Sequence, residues 1–162
     1  MQNILLIQPG DNLMNRLTSI SGNVDMDKLT PSIWTAQITS IQSILTKPLY
    51  NKILTDFDND NLSGDYLYIF EEFVSHMLVF YATADFIMKN AVMISNGGNF
   101  IHSPENSTIP DYKLTDRLSK HYDNLGDQIK NAFLLYMKCK NPALPEYNRI
   151  NLDSDSIENL YF

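Results

Sequence analysis

The chain has 162 residues, of which 44% are hydrophobic, and a formal net charge of −7. This size suits one domain with its own core, and this hydrophobic content excludes a chain that is disordered throughout. The negative charge disfavours DNA wrapping and attachment to anionic membranes as main functions. The single cysteine, Cys139, excludes an intrachain disulfide framework and is typical of a reducing compartment.

The first 24 residues predict an extended N-terminal arm. Ile4, Leu5, Leu6 and Ile7 form a short apolar run, which a proline–glycine pair stops. Terminal segments are ordered only where something holds them, so the run docks either on its own domain or on a neighbouring subunit. The second alternative makes these four residues candidates for an interface.

Two helices separated by a bend come next. Thr30 suits an N-cap and Pro31 the first helical position, so the first main helix should span 31–45, after a single helical turn at 25–29. Pro48 removes a backbone donor and should bend the chain before a second, shorter helix. The acidic stretch 56–65 lacks the glycine and glutamate of a calcium loop, so we interpret it as a solvated turn.

Residues 65–89 predict the central helix of a bundle. Apolar side chains cover about half of its circumference, and polar ones, among them Ser75 and Thr83, collect on the other half. An apolar arc that wide faces more than one neighbour. The stretch is long enough for a bilayer, but the charges of Glu71, Glu72 and Asp85 would be costly there, which favours a soluble core helix.

The segment after the central helix predicts a β-hairpin at about 92–102, because two apolar runs flank an Asn-Gly-Gly turn. A last long helix should follow to residue 140, with Gly126 marking close helix packing. Its apolar positions recur every three or four residues, and they are Leu114, Leu118, Tyr122, Leu125, Ile129, Phe133 and Met137. The expected fold is therefore mainly α, a small bundle of about four helices with a β-hairpin insertion and extended N- and C-terminal arms. The expected division is an arm at 1–24, a helical domain at 25–146 and a polar tail at 147–162.

The sequence offers no catalytic constellation, so we predict neither enzymatic activity nor a cofactor. Glu72 and His76 stand four apart on one helix face, but a di-iron bundle needs two Glu-x-x-His pairs and two further glutamates. With Asp85, these two residues are the least implausible ligands if the chain is instead a small helical metal protein. Cys139 has lysines beside it but no positioned base, so we expect it to pack at the helix end.

Four passages, in order, resemble one protein family. They are LTSISGNVDMDKLTPSIWTAQ, IQSILTKPLYNKIL, the central helix running into ISNGGNF, and LSKHYDNLGDQIKNAFLLYMKCKNPALPEY with its closing proline-glutamate-tyrosine motif. Together they cover most of residues 17–148. In this order they resemble the small head–tail connector (adaptor) proteins of tailed bacteriophages, most closely those of crAss-like phages. One departure is Thr46-Lys47-Pro48, where many relatives have a glycine turn.

The resemblance implies a structural virion protein at the capsid–tail junction. Such proteins form rings, typically of twelve copies, which bind the portal protein and further tail or ring proteins and extend the DNA channel. An acidic lumen would let double-stranded DNA slide without sequence-specific binding, and no membrane is involved. Ring subunits meet through heterologous interfaces. The expected contact residues are Ile4, Leu5, Leu6, Ile7, Met93, Phe100, Ile101, Leu160, Tyr161 and Phe162. The alternatives are a monomeric or dimeric helical regulator that binds another protein and, less favoured, the metal protein.

Overall fold

The computed structural model of the chain describes residues 4–20, 26–95, 98–101, 112–140 and 144–147, with side chains undescribed at 26, 92–101 and 140. Within these residues there are five helices and two strands. In chain order they are α1 (Asn12–Leu17), α2 (26–45, comprising Met26–Ala36, a π-helical turn Gln37–Ile41, and Gln42–Leu45), α3 (Lys47–Asp58), α4 (64–91, comprising Gly64–Ile69, a π-helical turn Phe70–Val74, and Ser75–Ala91), β1 (Val92–Ser95), β2 (Gly98–Ile101) and α5 (Tyr112–Lys140). The prediction of a mainly helical bundle is confirmed.

The central helix is α4, as predicted, and α2 and α5 pack against it. Burial on both sides extends to positions that the sequence pattern assigned to the polar half. Thr83 is fully buried and Ser75 is 6% exposed. Their hydroxyls donate to carbonyl oxygens one turn back, Thr83 to Val79 at 2.8 Å and Ser75 to Glu71 at 2.8 Å. Because each hydroxyl is hydrogen-bonded within its own helix, these small polar side chains can be buried against a neighbouring helix without an unpaired hydroxyl group.

The N-terminal segment is not an extended arm in residues 4–20, so that prediction is wrong there. Residues 12–17 form α1, whose first turn Asp11 caps by accepting a hydrogen bond from the backbone N–H of Leu13 at 2.8 Å. Met14 is fully buried and packs with the rest of the core. The segment therefore belongs to the same core as the helices, which is the first of the two alternatives for its docking.

Helix α2 begins earlier than predicted, at Met26, and contains Pro31 rather than starting at it. Thr30 is therefore not its N-cap. Proline inside a helix loses one backbone hydrogen bond. Leu29 and Ile33, on either side of it, are both fully buried, and burial of two large apolar side chains can offset that loss.

The predicted bend at Thr46–Pro48 is confirmed. Helix α2 ends at Leu45, and α3 starts at Lys47 with a proline in its first turn. Thr46 between them has φ 69° and ψ 148°. A β-branched residue seldom adopts a positive φ, and glycine does so freely. Glycine would therefore adopt this backbone conformation at lower cost than Thr46 does.

Beyond α4 the backbone continues without a gap into β1, and β1 pairs antiparallel with β2. Val92 lies opposite Ile101, and Ser95 lies opposite Gly98. A ladder of four residues on each strand has little stability alone. No helix in the described part of the chain combines the length and hydropathy of a membrane span.

Candidate protein interface

The apolar run near the N-terminus is clamped onto its own domain by Gln37 of α2. The Nε2 atom of Gln37 donates to the carbonyl oxygen of Ile4 and to the hydroxyl of Tyr50, both at 2.9 Å. Its Oε1 atom accepts the backbone N–H of Leu6, also at 2.9 Å. Gln37 has no exposed surface, and Leu6 and Ile7 are only 2% and 4% exposed. Leu6 and Ile7 therefore serve the core of this chain and are not free to form an interface, which corrects that part of the expected contact surface.

Of the other expected contact residues, Ile4 and Leu5 are half-buried, and Leu5 packs against the core. The rest lie in the strand pair and the tail. Met93 and Phe100 are opposite each other in the strand ladder, and Ile101 pairs with Val92, but their side chains are outside the described residues. The tail residues Leu160–Phe162 also lie outside the described residues. The contact role of both groups stays a prediction.

Residues 144–147 close the bundle where α2 meets α3 and where α4 begins. The Oε2 atom of Glu146 accepts a hydrogen bond from the Tyr66 hydroxyl at 2.6 Å, and its carbonyl oxygen accepts one from Thr46 at 3.3 Å. The ring of Tyr147 meets that of Phe133 edge to face at 5.8 Å, and Leu144 is 7% exposed. The proline-glutamate-tyrosine motif thus joins α4, α5 and the junction between α2 and α3. The hydrogen bond to Glu146 is the largest of the causes that raise the pKa of Tyr66 to about 12.

The close approach of α4 and α5 that Gly126 predicts is confirmed. A Cβ atom at this position would lie 2.7 Å from Cε1 of the Tyr81 ring. The Tyr81 hydroxyl donates to Asp127 Oδ1 at 2.9 Å, so the ring is held at its far end. Burial, followed by that hydrogen bond, raises the pKa of Tyr81. Hydrogen bonds from Lys130 and then Tyr81 lower the pKa of Asp127.

A shallow polar groove of about 270 Å³ lies between α2, α4 and α5. Asp85 and Asp123 line this groove. Burial is the main cause that raises the pKa of Asp123, and the negative charges of Asp127 and Asp85 add to it. Lys89 pairs with Asp85 Oδ2 at 2.6 Å and donates to the Thr35 hydroxyl at 2.9 Å. The hydrogen bond from Lys89 to Thr35 joins α4 to α2.

The metal alternative finds no support in the geometry. Among the described residues, no three histidine, cysteine, aspartate or glutamate side chains are close enough to hold an ion together. His76 and Asp85 are nine residues apart on one helix, which corresponds to roughly 13 Å of axial rise. The prediction that Cys139 packs at the helix end is wrong, because its side chain is exposed.

The most exposed apolar surface of the described chain is on α5. Tyr112, Leu114 and Leu118 are 71%, 58% and 40% exposed near its start, and Leu135 is 61% exposed near its end. Leu114 and Leu118 are therefore not core residues, which corrects the stripe expected from the sequence. At 100° per residue, Leu114 and Leu118 sit about 100° and about 60° away from the fully buried Phe133.

Charge is unevenly distributed on α5. The helix holds six of the chain's 12 lysine and arginine residues but only three of its 19 acids, so it is positive within a chain of net charge −7. Those acids, Asp116, Asp123 and Asp127, are spaced by seven and four residues and share one side of the helix. The opposite side, with Arg117 beside Leu114, has no acid. We call Leu114, Arg117, Leu118 and His121, with the neighbouring Lys113, the outer face of α5.

The acidic turn after α3 is exposed, as predicted. Asp58, Asp60 and Asp65 are exposed, and Asp60 has φ 54°, a value that aspartate tolerates better than most residues. Lys52 already pairs with Asp56 at 2.6 Å. Tyr68, three residues after Asp65 and one turn into α4, is 45% exposed. Sequence reasoning found the turn but missed the outer face of α5, and the lack of acids along one side of that helix was the available signal.

Comparison with known proteins gives one family. The Family of unknown function (DUF6712) matches residues 41–151, which is more than half of the chain. No curated protein matches the sequence significantly. No solved structure does so either.

Proposed function

We propose that this chain, which belongs to the Family of unknown function (DUF6712), is a structural virion protein that forms a head–tail connector ring between portal and tail. The family match does not by itself assign an activity to the chain. The observation that carries the proposal is the ordered set of four passages that resemble the adaptor proteins of tailed phages across residues 17–148.

Three structural features support this proposal. The central helix α4 continues directly into the paired strands, which we take as the inserted hairpin that reaches a neighbouring protein. The proline-glutamate-tyrosine motif fastens the end of the helical domain, so the tail leaves from a fixed point. The outer face of α5 leaves apolar and cationic side chains exposed together, as a subunit surface would.

The proposal predicts where the protein is found. Negative-stain imaging of virions with a gold label on this chain should place the label at the junction of capsid and tail. Co-sedimentation of the purified chain with portal protein should give a stoichiometric complex. Mature particles that lack the polypeptide at the neck would refute the proposal.

A regulator that binds another protein as a monomer or dimer is the second candidate, and the exposed apolar residues of α5 are the observation that favours it. The two candidates differ in assembly. A ring subunit gives a large cyclic oligomer alone or on the portal, whereas the regulator gives a small complex with one partner.

A further inference from the structure

We infer that the outer face of α5 binds the acidic turn of a second copy of this chain, with Asp58 and Asp60 against Arg117 and the ring of Tyr68 against Leu118. The inference deepens the proposed function and rests on it in one respect, the presence of a second copy. Its evidence is the charge and exposure of the two surfaces.

The two surfaces lie at opposite ends of the same molecule. Ser119 near the start of α5 donates to the carbonyl oxygen of Ala84 near the end of α4, at 3.0 Å. Tyr136 near the end of α5 meets Tyr68 near the start of α4, with ring centroids 5.2 Å apart. The helices are therefore antiparallel, and the acidic turn that precedes α4 is at the far end from Arg117. One copy cannot satisfy both surfaces by itself.

The surfaces are complementary in chemistry. The turn presents Asp58, Asp60 and Asp65 to solvent, and the outer face of α5 presents Arg117 in a sector without acids. Arginine recognises carboxylates with a planar fork of donors, which fixes orientation as well as attraction. Charge complementarity of this kind steers association and rejects wrong partners.

Exposed apolar side chains favour a protein occupant over nucleic acid. Leu114 and Leu118 are 58% and 40% exposed beside Arg117, and Tyr68 is 45% exposed beside the turn. A phosphate surface gains nothing from leucines, whereas a protein interface has an apolar centre and a charged rim. The same pattern on both sides points to contact between copies.

The experiment uses the full chain and two charge-reversed variants. Arg117→Glu reverses the outer face of α5, and Asp58→Lys with Asp60→Asn reverses the turn. Lys47→Glu, at an exposed position in the first turn of α3, is the matched control. Sedimentation velocity over a concentration series is run in about 0.1 M and about 1 M salt, where the Debye length is roughly 10 and 3 Å.

We expect the wild-type chain to associate in the lower salt and to weaken in the higher one. Each reversal should weaken association by about tenfold or more, because like charges then face each other. The control should associate like wild type. The variant that carries both reversals in one chain should regain association, and an equimolar mixture of the two single-surface variants should also associate. Circular dichroism of each variant checks that the helices remain.

Several outcomes would overturn the inference. These are a wild-type chain that stays monomeric at every concentration, association indifferent to both reversals, or a combined variant that does not recover. Binding of a fluorescent DNA duplex that Arg117→Glu abolishes and the turn variant leaves unchanged would assign the face to nucleic acid instead.

The inference and the proposed function fail separately. A closed dimer that both reversals disrupt would uphold the contact and overturn the ring. Rings that ignore both reversals would do the opposite.

Discussion

The clamp at Gln37 gives the sharpest test of how the N-terminal segment is held. Replacement by leucine keeps the approximate volume but removes three hydrogen bonds of 2.9 Å. It leaves the buried N–H of Leu6, the hydroxyl of Tyr50 and the partly buried carbonyl oxygen of Ile4 without this partner. Each stranded buried group costs about 1–3 kcal/mol, and the extra apolar surface recovers part of this, so the free energy of unfolding should fall by about 2–4 kcal/mol.

The assay is urea unfolding followed by circular dichroism and by the fluorescence of Trp34, the only tryptophan. For a chain of this size, such a loss lowers Tm by roughly 4–16 °C. The control is Gln42→Leu in the same helix, at a half-buried position, which should change stability by less than about 1 kcal/mol.

A second substitution separates the clamp from a general loss of packing. In the Gln37→Leu background, Tyr50→Phe removes the stranded hydroxyl and should recover about 1 kcal/mol, whereas in the wild-type background it should cost a similar amount. A Gln37→Leu variant as stable as wild type, or additive effects of the two substitutions, would refute the reasoning.

Three further predictions concern the helix contacts and the closing segment. Gly126→Ala should lower the free energy of unfolding by about 1 kcal/mol, because overpacking against the Tyr81 ring exceeds the gain in helix propensity. In a Tyr81→Ala background the same change should raise it, and urea titrations that show the same sign in both backgrounds would contradict this. Thr46→Gly should raise the free energy of unfolding by about 1 kcal/mol. Relief of the positive φ should outweigh both the loss of the weak hydrogen bond to Glu146 and the added freedom of the unfolded chain. A lower Tm for this variant would disprove the prediction. The Tyr66 hydroxyl, with its pKa raised to about 12, stabilises the fold below pH 10 and loses this contribution as the pH rises through 12. Tyr66→Phe should therefore reduce the fall of the free energy of unfolding between pH 10 and 12. The same fall in the variant and the wild type would count against this.

The order of the helices follows from local signals that the sequence carries. The long apolar run of α4 and the proline after Thr46 act through neighbouring residues, so their pattern predicts a central helix and a bend. Ser75 and Thr83 were misassigned because polar side chains in a helix can bond to their own backbone and then be buried. That option depends on where the neighbouring helices pack around α4, which no local pattern shows.

The contacts that hold the termini depend on distant residues. Gln37 is polar and sits mid-helix, and its partners are 33, 31 and 13 residues away. Nothing near it in the sequence indicates burial. The periodicity of α5 was read as one stripe, although Leu114 and Leu118 lie to the side of the buried positions, because a spacing of three or four residues tolerates that drift.

The continuity between α4 and β1 has a structural consequence. A helix of 28 residues is about 42 Å long, and α2 and α5 pack against α4. The helix ends at Ala91 and the strand begins at Val92, so no linker residue separates the two. The starting point of the strand pair is therefore set by the packing of the bundle around α4.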